Sequence, residues 1–164
     1  MLPKNVFISF VVSFLIFISP AHSDLLHGKA VRIIDGDTIV LLDQNNKQHK
    51  IRLQGIDAPE RNQVFGKKSK TFLSNSIAGK NVDIEFIKKD QYGRIIGKII
   101  FNTIDVNLEL VRAGLAWHYK KYQREQNPED RSSYAHAEIF ARDNSLGLWS
   151  DPHAIAPWDW RKRK

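Results

Sequence analysis

Val31-Arg32-Ile33-Ile34-Asp35-Gly36-Asp37-Thr38-Ile39-Val40-Leu41 sets two apolar runs on either side of an acidic turn. Val31, Ile33, Ile39 and Leu41 alternate with other residues, the period of a half-buried strand, so the stretch reads as strand, tight turn, strand. Working outward, Asp43 to Asn46 makes a second turn, and Ile51 and Leu53 alternate in a third strand. Val82, Ile84 and Phe86 restore period two, and a further strand runs from Ile95 to Phe101 behind the Tyr92-Gly93 turn. Helical spacing fills the intervals. Phe65, Phe72, Leu73 and Ile77 share one face, Lys67, Lys68 and Lys70 lie outside it, and Gly79 stops the helix. Asn107 is expected to cap a short helix that carries Leu108 and Val111 and closes at Gly114. Asn127-Pro128-Glu129-Asp130 provides a cap, a first-turn proline and first-turn acids for a last helix, with Tyr134, Ala137 and Ala141 on one stripe. Five short strands interleaved with about three α-helices predict an α+β domain built on a closed five-stranded barrel of the OB-fold type.

The N-terminus stands apart from this pattern. Lys4 precedes a nearly unbroken apolar run from Val6 to Ile18, Ser19-Pro20 ends it, and Ala21-His22-Ser23 offers small residues at a cleavage site. That is the layout of a secretory signal peptide, so residues 1–23 are expected to be removed and the domain to run from Asp24 to Lys164. The competing reading is a retained anchor, but the run is shorter than the ~20 residues a spanning helix needs. A secreted or periplasmic location follows, with no stable membrane anchor after cleavage and a monomeric mature chain. The chain carries a net charge of +7 and no cysteine. The first feature suits a polyanionic partner, although solubility alone also favours basic surfaces. The second excludes thiolate metal sites and cysteine nucleophiles. The six histidines show no ligand spacing, so each reads as a surface or packing residue, with His118 the one to watch.

Three short stretches concentrate chemistry. Asp35-Gly36-Asp37-Thr38 is by itself compatible with a plain hairpin turn. Arg52-Leu53-Gln54-Gly55-Ile56-Asp57-Ala58-Pro59-Glu60 ends a strand in a proline-stiffened loop that could equally be a surface ion-pair loop. Asp90-Gln91-Tyr92-Gly93-Arg94 delivers an arginine to the start of a strand. Taken together they form a phosphodiesterase inventory. Asp37 and Asp57 can bind one hard divalent cation through oxygen, with carbonyls and waters completing the shell. Arg52 and Arg94 can clamp a phosphate and neutralise its growing charge, and Glu60 is left to position or deprotonate water.

The same stretches resemble the thermonuclease family, whose best-known member is staphylococcal nuclease. Asp35 to Glu60 is similar to its first signature and Asp90 to Phe101 to its second, with Gln91 where a basic residue is usual. The likeness continues through Val111-Arg112-Ala113-Gly114-Leu115-Ala116 to Gly147-Leu148-Trp149. The resemblance implies a five-stranded OB barrel with three helices. It implies one calcium ion held by Asp37, Asp57 and the Ala58 carbonyl, with Asp35 behind them. It implies Arg52 and Arg94 as phosphate and transition-state arginines and Glu60 as general base. The implied substrates are DNA and RNA, cleaved at the P–O5′ bond to leave 3′-phosphate ends, preferably where strands are unpaired. Ala58 replaces a threonine of the staphylococcal enzyme, and the stretch from Arg61 to Lys70 is shorter than its lysine-bearing loop.

Trp117-His118-Tyr119-Lys120-Lys121-Tyr122 interleaves aromatics with bases, an array able to stack nucleobases. Trp117 is expected in the core, and Tyr119, Tyr122 and Tyr92 are assigned to substrate. Trp149 is expected to pack the terminal helix. Trp158, Trp160 and Arg161-Lys162-Arg163-Lys164 are expected to form a solvated, loosely packed tail. The rival function is a non-catalytic single-stranded nucleic-acid-binding barrel, which has no need of clustered carboxylates.

Overall fold

The computed structural model describes residues 24–163, so the expected signal peptide lies outside the described residues. Eight strands and four α-helices follow in the order β1 (Asp24–Ile33), β2 (Thr38–Asp43), β3 (Gln48–Leu53), β4 (Ile56–Asp57), α1 (Gly66–Ile77), β5 (Asn81–Lys89), β6 (Ile95–Phe101), β7 (Ile104–Asp105), α2 (Val106–Arg112), β8 (Trp117–His118), α3 (Pro128–Asp143) and α4 (Pro157–Trp160). The main sheet runs β3-β2-β1-β5-β6-β7, and β3 also pairs with β6. That last pairing is parallel, with Ile51 opposite Ile95 and Leu53 opposite Gly97, and it closes five long strands into the expected barrel.

Alternation fills the interior. Ile39, Leu41, Ile51, Leu53, Ile84 and Ile99 are essentially inaccessible. Each such aliphatic side chain contributes about 1.5–3 kcal/mol of transfer free energy on burial. Leu73 and Ile77 of α1, Leu110 and Val111 of α2, and Tyr134 and Ala137 of α3 extend the same core. Val31 departs from the expected alternation. A bulge shifts the β1–β2 register between Ala30 and Arg32, so Ala30 and Ile33 face inward while Val31 is left exposed.

The helix starts are mixed in outcome. Asn127 caps α3 as expected, its Oδ1 accepting the Asp130 N–H at 2.7 Å. Asn107 does not cap α2. Asp105 does, accepting the Leu108 N–H at 3.0 Å. Asn107 is instead a buried strut inside the first turn. Its Oδ1 accepts from Ile99 N (3.2 Å), and its Nδ2 donates to Gln54 O (3.1 Å) and Gly97 O (3.2 Å). It thereby ties α2 to β6 and to the loop that follows β3. Beyond the three expected helices there is the single turn α4, followed by a 3₁₀ turn at Arg161–Arg163.

Candidate active site

One open cleft of about 810 Å³ gathers every residue assigned from sequence to catalysis, metal or substrate. The barrel explains why. Ile51, Leu53 and Ile95 point inward, so period two turns Arg52 and Arg94 outward on the same face of the closing β3–β6 pair.

The acidic side is built from two loops bonded to each other. In the β1–β2 turn, the Asp37 N–H donates to Asp35 Oδ1 (3.1 Å) and Thr38 Oγ1 donates to Asp37 Oδ1 (3.1 Å). Across the gap, the Ala58 N–H donates to Asp37 Oδ2 at 2.7 Å. Asp57 is fixed by the short β4–β8 ladder, where it stands opposite Trp117, and only 1% of it is exposed. Arg52 staples this assembly. Its Nη1 donates to Leu53 O and Ile56 O, both at 3.0 Å. Its Nη2 lies 2.8 Å from Asp57 Oδ1 and 3.3 Å from Asp37 Oδ2. Arg52 is therefore both a cleft residue and the counterion of the buried carboxylates.

Glu60 follows at the cleft's rim. Its N–H donates to Gln63 Oε1 (3.0 Å), and its carbonyl accepts from Gln63 N (2.9 Å). Gly66 permits that loop, because a Cβ there would come within 1.9 Å of the Glu60 carbonyl oxygen. On the opposite side, Asp90 organises the turn that presents Arg94. Asp90 Oδ1 accepts the N–H groups of Tyr92 and Arg94, each at 2.9 Å, and Oδ2 accepts from Arg94 Nε at 2.7 Å. Gly93 supplies the left-handed φ of 75° that the turn requires.

The aromatic assignments divide. Tyr92 and Tyr122 line the cleft and are 74% and 43% exposed, so their rings are accessible. Tyr119 also lines it, but one face is covered by Trp158, stacked with centroids 5.2 Å apart and planes 11° apart. Trp117 packs edge-on between Trp149 (4.3 Å) and Trp158 (5.5 Å). Trp149 packs on α3 as expected, 3.9 Å beneath the Arg142 guanidinium. His118 is a packing residue, buried, with Nε2 3.0 Å from Gln126 Oε1. The expectation of a loosely packed end fails at Trp158 and Arg161, because α4 folds onto the aromatic cluster, while Lys162 and Arg163 are exposed as expected and Lys164 lies outside the described residues. Arg161, absent from the sequence-based assignment, enters the cleft and bonds to Asp57 and Glu60. Its sequence setting, a run of four bases, gives no sign of this.

Electrostatics follow the crowding of carboxylates. Burial, reinforced by the neighbouring Asp37 charge, pushes Asp35 up from 3.8 to about 6. Burial also raises Asp57, against the pull of Arg161 and Arg52. At Asp90 burial opposes ionisation, but bonds from the Arg94 side chain and backbone outweigh it and hold the carboxyl below its ordinary value. The Asp35 shift has a definite sign. Between about pH 4 and 6 the folded protein retains a proton that the unfolded chain has released, so stability falls as pH rises through that window. Urea midpoints of the metal-free protein should decline over this range, and Asp35→Asn should flatten the decline. A variant with the parent's full slope would contradict the assignment.

The staphylococcal nuclease homologue family matches residues 50–151. An uncharacterized endonuclease of Escherichia coli is 41% identical over 140 residues, covering 85% of this chain and 87% of its own length. A second uncharacterized endonuclease, from Haemophilus influenzae, is 39% identical over 136 residues, 83% of this chain and 73% of the relative. A micrococcal nuclease of Shigella flexneri is 37% identical over 152 residues, 87% and 84% of the two chains. With a closed five-stranded barrel beneath this similarity, the conclusion is direct: the chain belongs to the staphylococcal nuclease homologue family.

Proposed function

We propose that this chain, a nuclease by family, is an exported calcium-dependent endonuclease that hydrolyses phosphodiester bonds in DNA and RNA, leaving 3′-phosphate ends. The convergence of Asp37, Asp57, Arg52, Arg94 and Glu60 on one cleft carries the reading. The donor chemistry fits a hard cation. Among the described residues no group of three or more acidic, histidine or cysteine side chains forms a ready-made cage. Two buried carboxylates and the Ala58 carbonyl would hold the ion, and waters would complete the shell. The raised carboxyls of Asp35 and Asp57 mark a place where added positive charge is favourable.

An ion held there would supply charge able to polarise a phosphoryl oxygen and acidify water. The protein supplies the rest. Arg94 donates N–H groups to the phosphoryl oxygens and stabilises their charge as phosphorus becomes five-coordinate. Arg52 keeps both carboxylates in register while facing the same cleft. Glu60 accepts the proton of the attacking water. Tyr92 and Tyr122 offer faces to unpaired bases, which favours single strands and breathing duplex. Basic charge along the cleft, including Lys88 and Lys89, makes binding sensitive to salt.

Plasmid cleavage with chelator and calcium add-back tests the activity, and end-group analysis tests the bond broken. Cleavage should stop with chelator, return with calcium and leave 3′-phosphates. Asp37→Ala and Asp57→Ala should lose the heat of calcium binding while remaining folded. DNA binding without calcium-dependent cleavage would establish the binding-module reading instead. The intact mass of the exported protein should begin at Asp24, and a mass retaining residues 1–23 would make it a tethered enzyme.

A further inference from the structure

The C-terminal segment, beyond the span of the family match, is anchored before it reaches the cleft. Trp158 lies stacked on Tyr119 and edge-on to Trp117. Just upstream, Gln63 Nε2 donates to Ile155 O at 2.5 Å, which ties the segment to the Glu60 loop. From this base Arg161 places a fork on Asp57, with Nη2 to Oδ2 at 2.8 Å and Nη1 to Oδ1 at 3.3 Å. The same Nη1 reaches Glu60 Oε1 at 2.7 Å.

Those oxygens have competing uses. Asp57 is buried, and a buried carboxylate needs a positive partner. Arg52 meets Oδ1, and Arg161 is the cation on Oδ2. We propose that Arg161 is a tethered internal cation that occupies the divalent-ion position of the metal-free protein, and that ion binding displaces it from Asp57 and Glu60 together. The inference rests on the reading of Asp57 as an ion ligand. A guanidinium and a divalent ion repel each other, and Arg161 sits on the Asp57 oxygen that Arg52 leaves open, so the two compete for it. Displacement needs little rearrangement. The Arg161 side chain is 42% exposed on a 3₁₀ turn, so it can rotate into solvent while Trp158 keeps its stack. Releasing Glu60 in the same event links its freedom to act as a base to the presence of the ion.

A self-ligand lowers the apparent affinity of its competitor by the fraction of time the site stands open. Calorimetric titration of the full metal-free chain with calcium chloride, at pH 8 where the raised carboxyls are ionised, measures that effect. Arg161→Gln should bind calcium roughly tenfold more tightly than the parent, as expected for a site open about a tenth of the time. Arg161→Lys, which keeps the charge but loses the fork, should fall between them. Amide exchange across residues 161–163 of the parent should quicken on adding calcium, a readout independent of activity. Circular dichroism verifies that each variant is folded. Equal or weaker calcium affinity in Arg161→Gln, or unchanged exchange, would overturn the proposal and make Arg161 a fixed part of the site. Asp57→Ala, titrated alongside, separates the two levels of failure. If it binds calcium like the parent, the ion site itself is misplaced. If it loses binding while Arg161→Gln is unaltered, only the tethered-cation inference fails.

Discussion

Arg94→Ala should cleave its substrate about a hundredfold or more slowly than the parent under single-turnover conditions, with little change in stability. The asymmetry comes from how the two arginines are held. Among the described residues Arg94 is bonded only within its own turn, to Asp90, so its loss leaves the barrel intact. Its guanidinium is the one on that side of the cleft able to answer charge developing on the phosphoryl oxygens. Substrate affinity, measured in a non-productive ion, should fall much less than turnover, since the interaction strengthens in the transition state. Arg52→Lys should behave differently. It should lose turnover because a lysine cannot reproduce the fork that keeps Asp57 and Asp37 in register. It should also lose stability, because Leu53 O, Ile56 O, Asp57 and Asp37 lose bonds together. Glu60→Gln keeps the shape and removes the proposed base, so its deficit should change with pH if proton removal limits the rate. Turnover surviving Arg94→Ala while affinity collapses would move Arg94 from chemistry to binding.

Tyr134→Ala should cost about 3–5 kcal/mol, a large part of the 5–15 kcal/mol by which domains are stable. Tyr134 is fully buried on α3, stands edge-on to His118, and donates its hydroxyl to Asp105 Oδ2 at 2.9 Å. Asp105 in turn caps α2, so one side chain links two helices to the barrel. Burial, then the Asp105 charge, raises the phenol well above its ordinary range, so it remains a donor. Tyr134→Phe retains the ring and loses only that hydrogen bond, and should cost about 1–3 kcal/mol. Urea midpoints read both values. A cost for Tyr134→Ala below that of Tyr134→Phe would mean the ring fills no core space.

The barrel was legible where local pattern and tertiary environment agree. Ile39, Leu41, Ile51 and Leu53 alternate in sequence and are all inaccessible in the fold. Val31 escaped because a bulge depends on the partner strand, and nothing in the flanking residues marks it. Asp105 and Asn107 are both good cap residues two positions apart, and the choice between them is made by which one faces β6. The cleft was legible because its parts sit at strand ends, where turn residues and the proposed catalytic residues coincide. Arg161 was not, since a basic run at a chain end looks solvated unless the aromatic stack that bends it back is known.

The parallel β3–β6 pair has a kinetic consequence. The β1–β2 and β2–β3 pairings join neighbours through short turns, and β5–β6 does the same. The β1–β5 pairing joins strands far apart in sequence, and the β3–β6 seam, whose strands are separated by β4, α1 and β5, must likewise wait for a long loop to close. Arg52 and Arg94 flank that seam. A chain whose hairpins have formed but whose seam is open holds all its chemical groups and no working site. Activity should therefore appear late during refolding, after most secondary structure has returned, and a factor that keeps the seam apart keeps the chain inert.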